Sequence, residues 1–123
     1  MPNTLIGITL DCNDMVTVAA FWRDALGYLE QGPPSTGAVF HGLMAPKDQG
    51  GLHHLTLQRV PELKGAKNRM HLDLFVDDLD AEVARLTALG GSIVQEVPAE
   101  PGGFRVTIMG DPEGHEFCVV QRP

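Results

Sequence analysis

The chain has 123 residues, 43% of them hydrophobic and 20% charged, which suffices for one compact core and is too little for two independent ones. Its formal charge of −7, with no cationic run beyond the sparse Lys64-Gly65-Ala66-Lys67-Asn68-Arg69, argues against a nucleic-acid or anionic-membrane partner, since both need clustered cations. Cys12 and Cys118 are the only cysteines, and the first residues lack the basic and apolar regions of a signal peptide, so the expected compartment is a reducing cytoplasm.

In chain order, residues 4–12 alternate, with Ile6, Ile8, Leu10 and Cys12 on one face and Gly7, Thr9 and Asp11 on the other, the period of a half-buried strand. Asp14 is placed to cap a helix along which Met15, Val18, Ala19, Phe21, Trp22, Ala25 and Leu26 recur at helical spacing, and Gly27 suits its left-handed end. Residues 28–31 predict a short strand, Gly32-Pro33-Pro34 a turn, residues 38–44 a second strand, and residues 52–60 a third after the loop at 46–51.

The order then recurs. Residues 70–76 predict a strand; Asp78 caps a helix with Leu79, Val83 and Leu86 inward, and Gly90 ends it. Residues 92–97, 104–109 and 116–121 supply three more strands, the last two joined by the tight turn Asp111-Pro112-Glu113-Gly114. Both halves read β-α-β-β-β, and their first strands lie 64 residues apart, matching Gly7 with His71. The pattern predicts an α+β fold: a single domain, 1–123, of two tandem modules, about 1–61 and 68–123. Two four-stranded sheets would form a concave mixed sheet around a central cavity, with a helix on each outer face.

Alternation selects the residues facing that cavity. Leu55 and Leu57 turn toward the helix, leaving His54, Thr56 and Gln58 inward; Leu72, Leu74 and Val76 do the same and leave His71, Asp73 and Phe75. Thr9 and Asp11 join them from the first strand, Glu116 and Cys118 from the last. So many polar groups on a concave face are costly unless they bond one another, water or a ligand.

These motifs carry a family likeness. The duplication, the strand His71-Leu72-Asp73-Leu74-Phe75-Val76-Asp77-Asp78, the helix end Ala88-Leu89-Gly90-Gly91 and the turn Asp111-Pro112-Glu113-Gly114-His115-Glu116-Phe117 resemble the vicinal oxygen chelate superfamily. That superfamily includes glyoxalase I, bleomycin-resistance proteins and extradiol dioxygenases. Leu57-Gln58-Arg59-Val60-Pro61 with Lys67-Asn68-Arg69-Met70-His71-Leu72-Asp73-Leu74 is similar to its glyoxalase-like subgroup. The resemblance spans essentially the whole chain and implies the fold more than a reaction.

In metal-dependent relatives, the resemblance implies ligands on the first and last strands of each half. The corresponding positions are Gly7, His71 and Cys118, and for the first half's last strand His54 at a spacing of 64, a neighbour one residue away, or an inward Gln58. Gly7 offers no donor and a closed site needs three, so no cofactor is expected; a divalent metal, if held, would use His54, His71 and Cys118. The resemblance also implies a homodimer.

Plainer roles stand beside each of these. His71 with Asp73 could be a structural pair, and His53 lies on the face opposite His54. Cys118 reads as a small buried hydrophobe, Phe21 and Trp22 as helix-to-sheet packing, and Asp11 and Glu116 as residues of a solvated mouth. His41 belongs to a pocket rim or to solvent. Three functions remain open: a metal-free small-molecule binder that sequesters a toxic or antibiotic compound; an isomerase, lyase or dioxygenase, with metal or with His71 as catalytic base oriented by Asp73; and an interaction module with a vestigial cavity.

Overall fold

The computed structural model describes residues 7–47, 52–68, 70–99 and 101–123. The start of the first expected strand at 4–6, most of the expected loop at 46–51 and Arg69 lie outside them. The chain divides into two units, Met1–Leu63 and Lys64–Pro123.

In the first unit, β1 (Gly7–Cys12), α1 (Met15–Leu26), β2 (Phe40–Met44) and β3 (His54–Arg59) follow in order. β3 is central, parallel to β1 and antiparallel to β2. The alternation works as expected: Leu55 and Leu57 of β3 and Leu43 of β2 are fully buried, as are Met15, Val18, Phe21 and Trp22 of α1, which packs on those two strands. Phe21 and Trp22 meet edge to face with centroids 5.2 Å apart. The Asp14 carboxylate caps α1, accepting from the Thr17 N–H at 3.2 Å and the Thr17 hydroxyl at 2.8 Å. Gly27 closes the helix in the left-handed region at φ 67°.

The strand expected at 28–31 shrinks to a single bridge, Leu29 to Met44. Gly32, at φ 75°, turns the chain away, and Pro33 and Pro34 have no N–H to continue a ladder. The sheet is therefore three strands and a bridge where four strands were expected. β2 likewise starts at Phe40, because the Ala38 N–H is taken by a local turn to Ser35 O at 3.0 Å.

The second unit contains β4 (Asp73–Val76), α2 (Leu79–Ala88), β5 (Ser92–Val97), β6 (Arg105–Gly110) and β7 (Glu116–Gln121). The sheet runs β4-β7-β6-β5, with β4 parallel to β7 and the other pairs antiparallel. Each unit thus sets its first strand parallel to its last. α2 carries two caps: Asp78 accepts from the Ala81 N–H at 3.1 Å, and Gln121 Oε1 of β7 accepts from the Leu79 N–H at 2.8 Å. Leu79, Leu86, Met109, Phe117 and Val119 form the apolar layer between helix and sheet. β4 is shorter than the expected 70–76; only the bond from Cys118 N–H to Leu72 O, 2.9 Å, extends the pairing toward His71.

The cap on α1 yields a test. Hydrogen bonds from Thr17 hold the Asp14 carboxyl below its ordinary value. Its stabilisation is therefore complete above the unfolded carboxyl's pKa of about 3.9 and fades as pH falls through the lower folded value. Asp14→Ala should cost about 1 kcal/mol at pH 7 in urea unfolding, and that difference should shrink below pH ~3.9.

Candidate functional site

On the face of the first sheet opposite Leu55 and Leu57, Thr9 pairs with Thr56 and Asp11 with Gln58, while Gly7 lies beside His54. Thr9 and Asp11 are exposed; His54, Thr56 and Gln58 are half-buried. Two glycines lie close against His54 there. A Cβ at Gly42 would sit 2.8 Å from His54 Nε2, and one at Gly7 would sit 3.3 Å from His54 Cβ. A side chain at position 7, the position matched with His71, would press His54 back by a few tenths of an ångström.

In the second unit, three side chains converge. β4 and β7 pair with Asp73 directly opposite Cys118, and His71 reaches in from just before β4. His71 Nδ1 is 3.2 Å from Asp73 Oδ1 and 3.8 Å from Cys118 Sγ, and donor atoms of all three lie within 4.8 Å of one another. Strand geometry alone separates residues two apart by about 7 Å. That spacing closes here because His71 precedes the ladder and its side chain is free to bend. Cys118 is half-buried, where a fully buried hydrophobe was also considered. Burial, followed by the Asp73 carboxylate, pushes its thiol pKa up, so it is held protonated.

Glu116, expected in the ligand-facing set, is tied to the segment before β4. Its carboxylate accepts from Lys67 Nζ and the Asn68 N–H, each at 3.1 Å, and pairs with Lys64 at 3.3 Å. The Lys67 bond, first among these, holds its carboxyl below the ordinary value. The sparse cationic stretch is thus fastened to β7 by its own lysines. Phe75, exposed on β4, lies under the Arg122 guanidinium at 5.3 Å.

The register settles which residues correspond between halves. Thr9, 64 residues before Asp73, pairs with Thr56, and Asp73 pairs with Cys118. The last-strand counterpart of Cys118 is therefore Thr56, at an offset of 62, in place of His54 or its neighbour. Of the three metal donors named from sequence, His71 and Cys118 meet, and Asp73 is the third member of their cluster.

A second polar group was invisible in the sequence. Glu30, its side chain 7% exposed, receives His41 Nε2 at 2.7 Å on one oxygen and Arg23 at 3.1 Å on the other. His41 is therefore half-buried and paired. Glu30 and His41 border a cavity of about 530 Å³ in the first unit, shared with Phe40, Met44 and His54. The Leu29–Met44 bridge, which brings residues 30 and 41 together, is too short to have an alternation signal.

The glyoxalase-like domain family matches residues 7–120. The chain belongs to this family, within the vicinal oxygen chelate superfamily. Over 61 residues it is 34% identical to CFP32 of Mycobacterium tuberculosis, whose name marks it as a candidate glyoxylase, and the aligned part covers half of this chain and 23% of that protein. The chain spans about a quarter of that relative's length. FosX, the genomically encoded fosfomycin resistance protein of Listeria monocytogenes, superposes over the whole chain and 96% of its own, at TM-score 0.75 and 21% identity. The match to TioX of Micromonospora covers 98% of this chain and 100% of that one, at TM-score 0.62 and 22% identity. Identities this low show the shared fold alone.

The thiol gives the site's test. With its pKa raised, Cys118 should alkylate slowly at neutral pH, and Asp73→Asn should shift the pH–rate profile downward; an unmoved profile would detach the thiol from Asp73. Cys12, 1% exposed, serves as the unreactive internal control.

Proposed function

We propose that this glyoxalase-like domain binds a small polar molecule at the His71–Asp73–Cys118 cluster, without requiring a metal. The observation that carries the reading is the convergence of imidazole, carboxylate and thiol within 4.8 Å on an accessible face. Such a cluster offers a ligand both donors and acceptors. Cys118, held protonated, offers a neutral thiol beside the His71–Asp73 pair, which suits reversible binding.

A metal-dependent reading has its own support. Ligands about 2.0–2.3 Å from a tetrahedral ion lie about 3.3–3.8 Å from one another. The 3.2 Å from His71 to Asp73 and the 3.8 Å from His71 to Cys118 fall close to those edges, which supports this reading. One FosX structure holds Mn(II) and 1S,2S-dihydroxypropylphosphonic acid. When bound, the ion would polarise a ligand oxygen. What opposes it is the Cys118 proton, which burial and Asp73 retain and which a metal must displace.

One set of proteins separates these readings. In a fragment screen by ligand-observed NMR, His71→Ala should abolish most hits and His53→Ala should leave them; equal losses would favour the interaction module. Elemental analysis should find well under one equivalent of metal. About one equivalent of zinc or manganese, lost in His71→Ala, would make the site a metal centre.

We further propose that the chain works as a homodimer. β5 supports this: it ends the second sheet, is exposed along its whole length, and presents Ile93, Val94 and Val97 to solvent. Light scattering at micromolar concentration should give twice 13.3 kDa, and a clean monomer would contradict it.

A further inference from the structure

Cations are scarce in this chain, and most are already paired. Arg23 pairs with Asp24 and Glu30, Lys64 and Lys67 with Glu116, Arg85 with Glu82, and Arg105 with Asp80. Among the described residues, Lys47, Arg59 and Arg122 remain without a carboxylate at ion-pair distance. Of these, Arg122 lines a cavity. It opens at the carboxyl ends of the parallel pair β4 and β7, has a volume of about 350 Å³, and is bordered by Phe75, Asp77 and Gln121.

The guanidinium is pre-oriented. It lies over the Phe75 ring, its carbon 5.3 Å from the centroid, so one face of the plane is fixed while its N–H fork is unspent. Gln121, beside it, already caps α2 through its amide oxygen and offers the fork no competition. Asp77 borders the same cavity and forms no ion pair with Arg122. A planar cation on an aromatic shelf with unused donors matches the geometry of a carboxylate or phosphate.

Phe75 also links this corner to the cluster at His71. Asp73 and Phe75 share one face of β4, about 7 Å apart along the strand, and Asp73 in turn contacts His71. We propose that Arg122 on Phe75 is an oxyanion subsite, holding the carboxylate or phosphate end of a ligand whose other end reaches Asp73 and His71. This rests on the small-molecule reading of the cluster and narrows it to an elongated anionic molecule.

The test uses benzoate and phenyl phosphate as probes, with benzyl alcohol as the neutral control, followed through the Arg122 Nε–H signal in ¹⁵N NMR. Either oxyanion should shift that signal, and the alcohol should not; a response to one of the two supports the subsite and names its head group. Arg122→Gln should weaken the probes by about 10-fold or more, as expected for a charged hydrogen bond, and Phe75→Leu by a few-fold. Lys47→Gln, a change at a cation outside this cavity, should leave them unchanged. Unchanged affinity in Arg122→Gln, or an Arg122 signal that ignores both oxyanions, overturns the subsite while leaving the His71 reading intact. Failure of His71→Ala in the fragment screen, with the Arg122 response preserved, overturns only the cluster. Should Arg122→Gln melt well below the parent, the wild-type Arg122 shift and Phe75→Leu still decide the matter.

Discussion

The parallel pairing of β4 with β7 is the constraint on which the site depends. It puts Asp73 opposite Cys118, brings the Leu72 carbonyl to the Cys118 N–H, and so delivers His71 to both. The pairing is not local: it joins residues about 45 apart in sequence and requires β5 and β6 to lie to one side of β7. It is held by what lies on the other face. Phe117 and Val119 of β7 are buried with Leu79 and Leu86 of α2, and a slip of one residue would exchange them for Glu116 and Cys118. Apolar burial on the helix side thus fixes the polar arrangement on the open side.

Helix caps reinforce the same register. Asp78 caps α2 through its own carboxylate, and Gln121 adds a second acceptor from the end of β7. The helix start is therefore tied both to β4, which precedes it, and to β7, which carries Cys118. Across β7, Glu116 anchors the incoming chain through Lys64, Lys67 and the Asn68 N–H. His71 enters three residues after that anchor.

Much of this was legible in the sequence because it follows from period-2 alternation and end signals. Leu55 and Leu57 inward, the caps at Asp14 and Asp78, and the left-handed Gly27 depend on neighbours within a few residues. What was not legible depends on distant partners. The register that matches Thr56, in place of His54, with Cys118 is a property of strand pairing, and no motif in either strand encodes it. The His71–Asp73 contact needed the strand to start later than alternation suggests. Glu30 with His41, and Arg122 with Phe75, meet across short or terminal segments whose sequences have no periodic signal.

The fold carries the family's duplicated plan, but the two copies have diverged in what they offer. The first carries no side chain at Gly7, beside His54; the second concentrates imidazole, carboxylate and thiol at one pair of strands. The central claim is that this concentration is where the ligand sits. A crystal structure of the protein soaked with a fragment hit tests it most directly: the account predicts ligand density within hydrogen-bonding distance of His71 and Asp73. Density elsewhere, with the His71–Asp73 contact undisturbed, would contradict it.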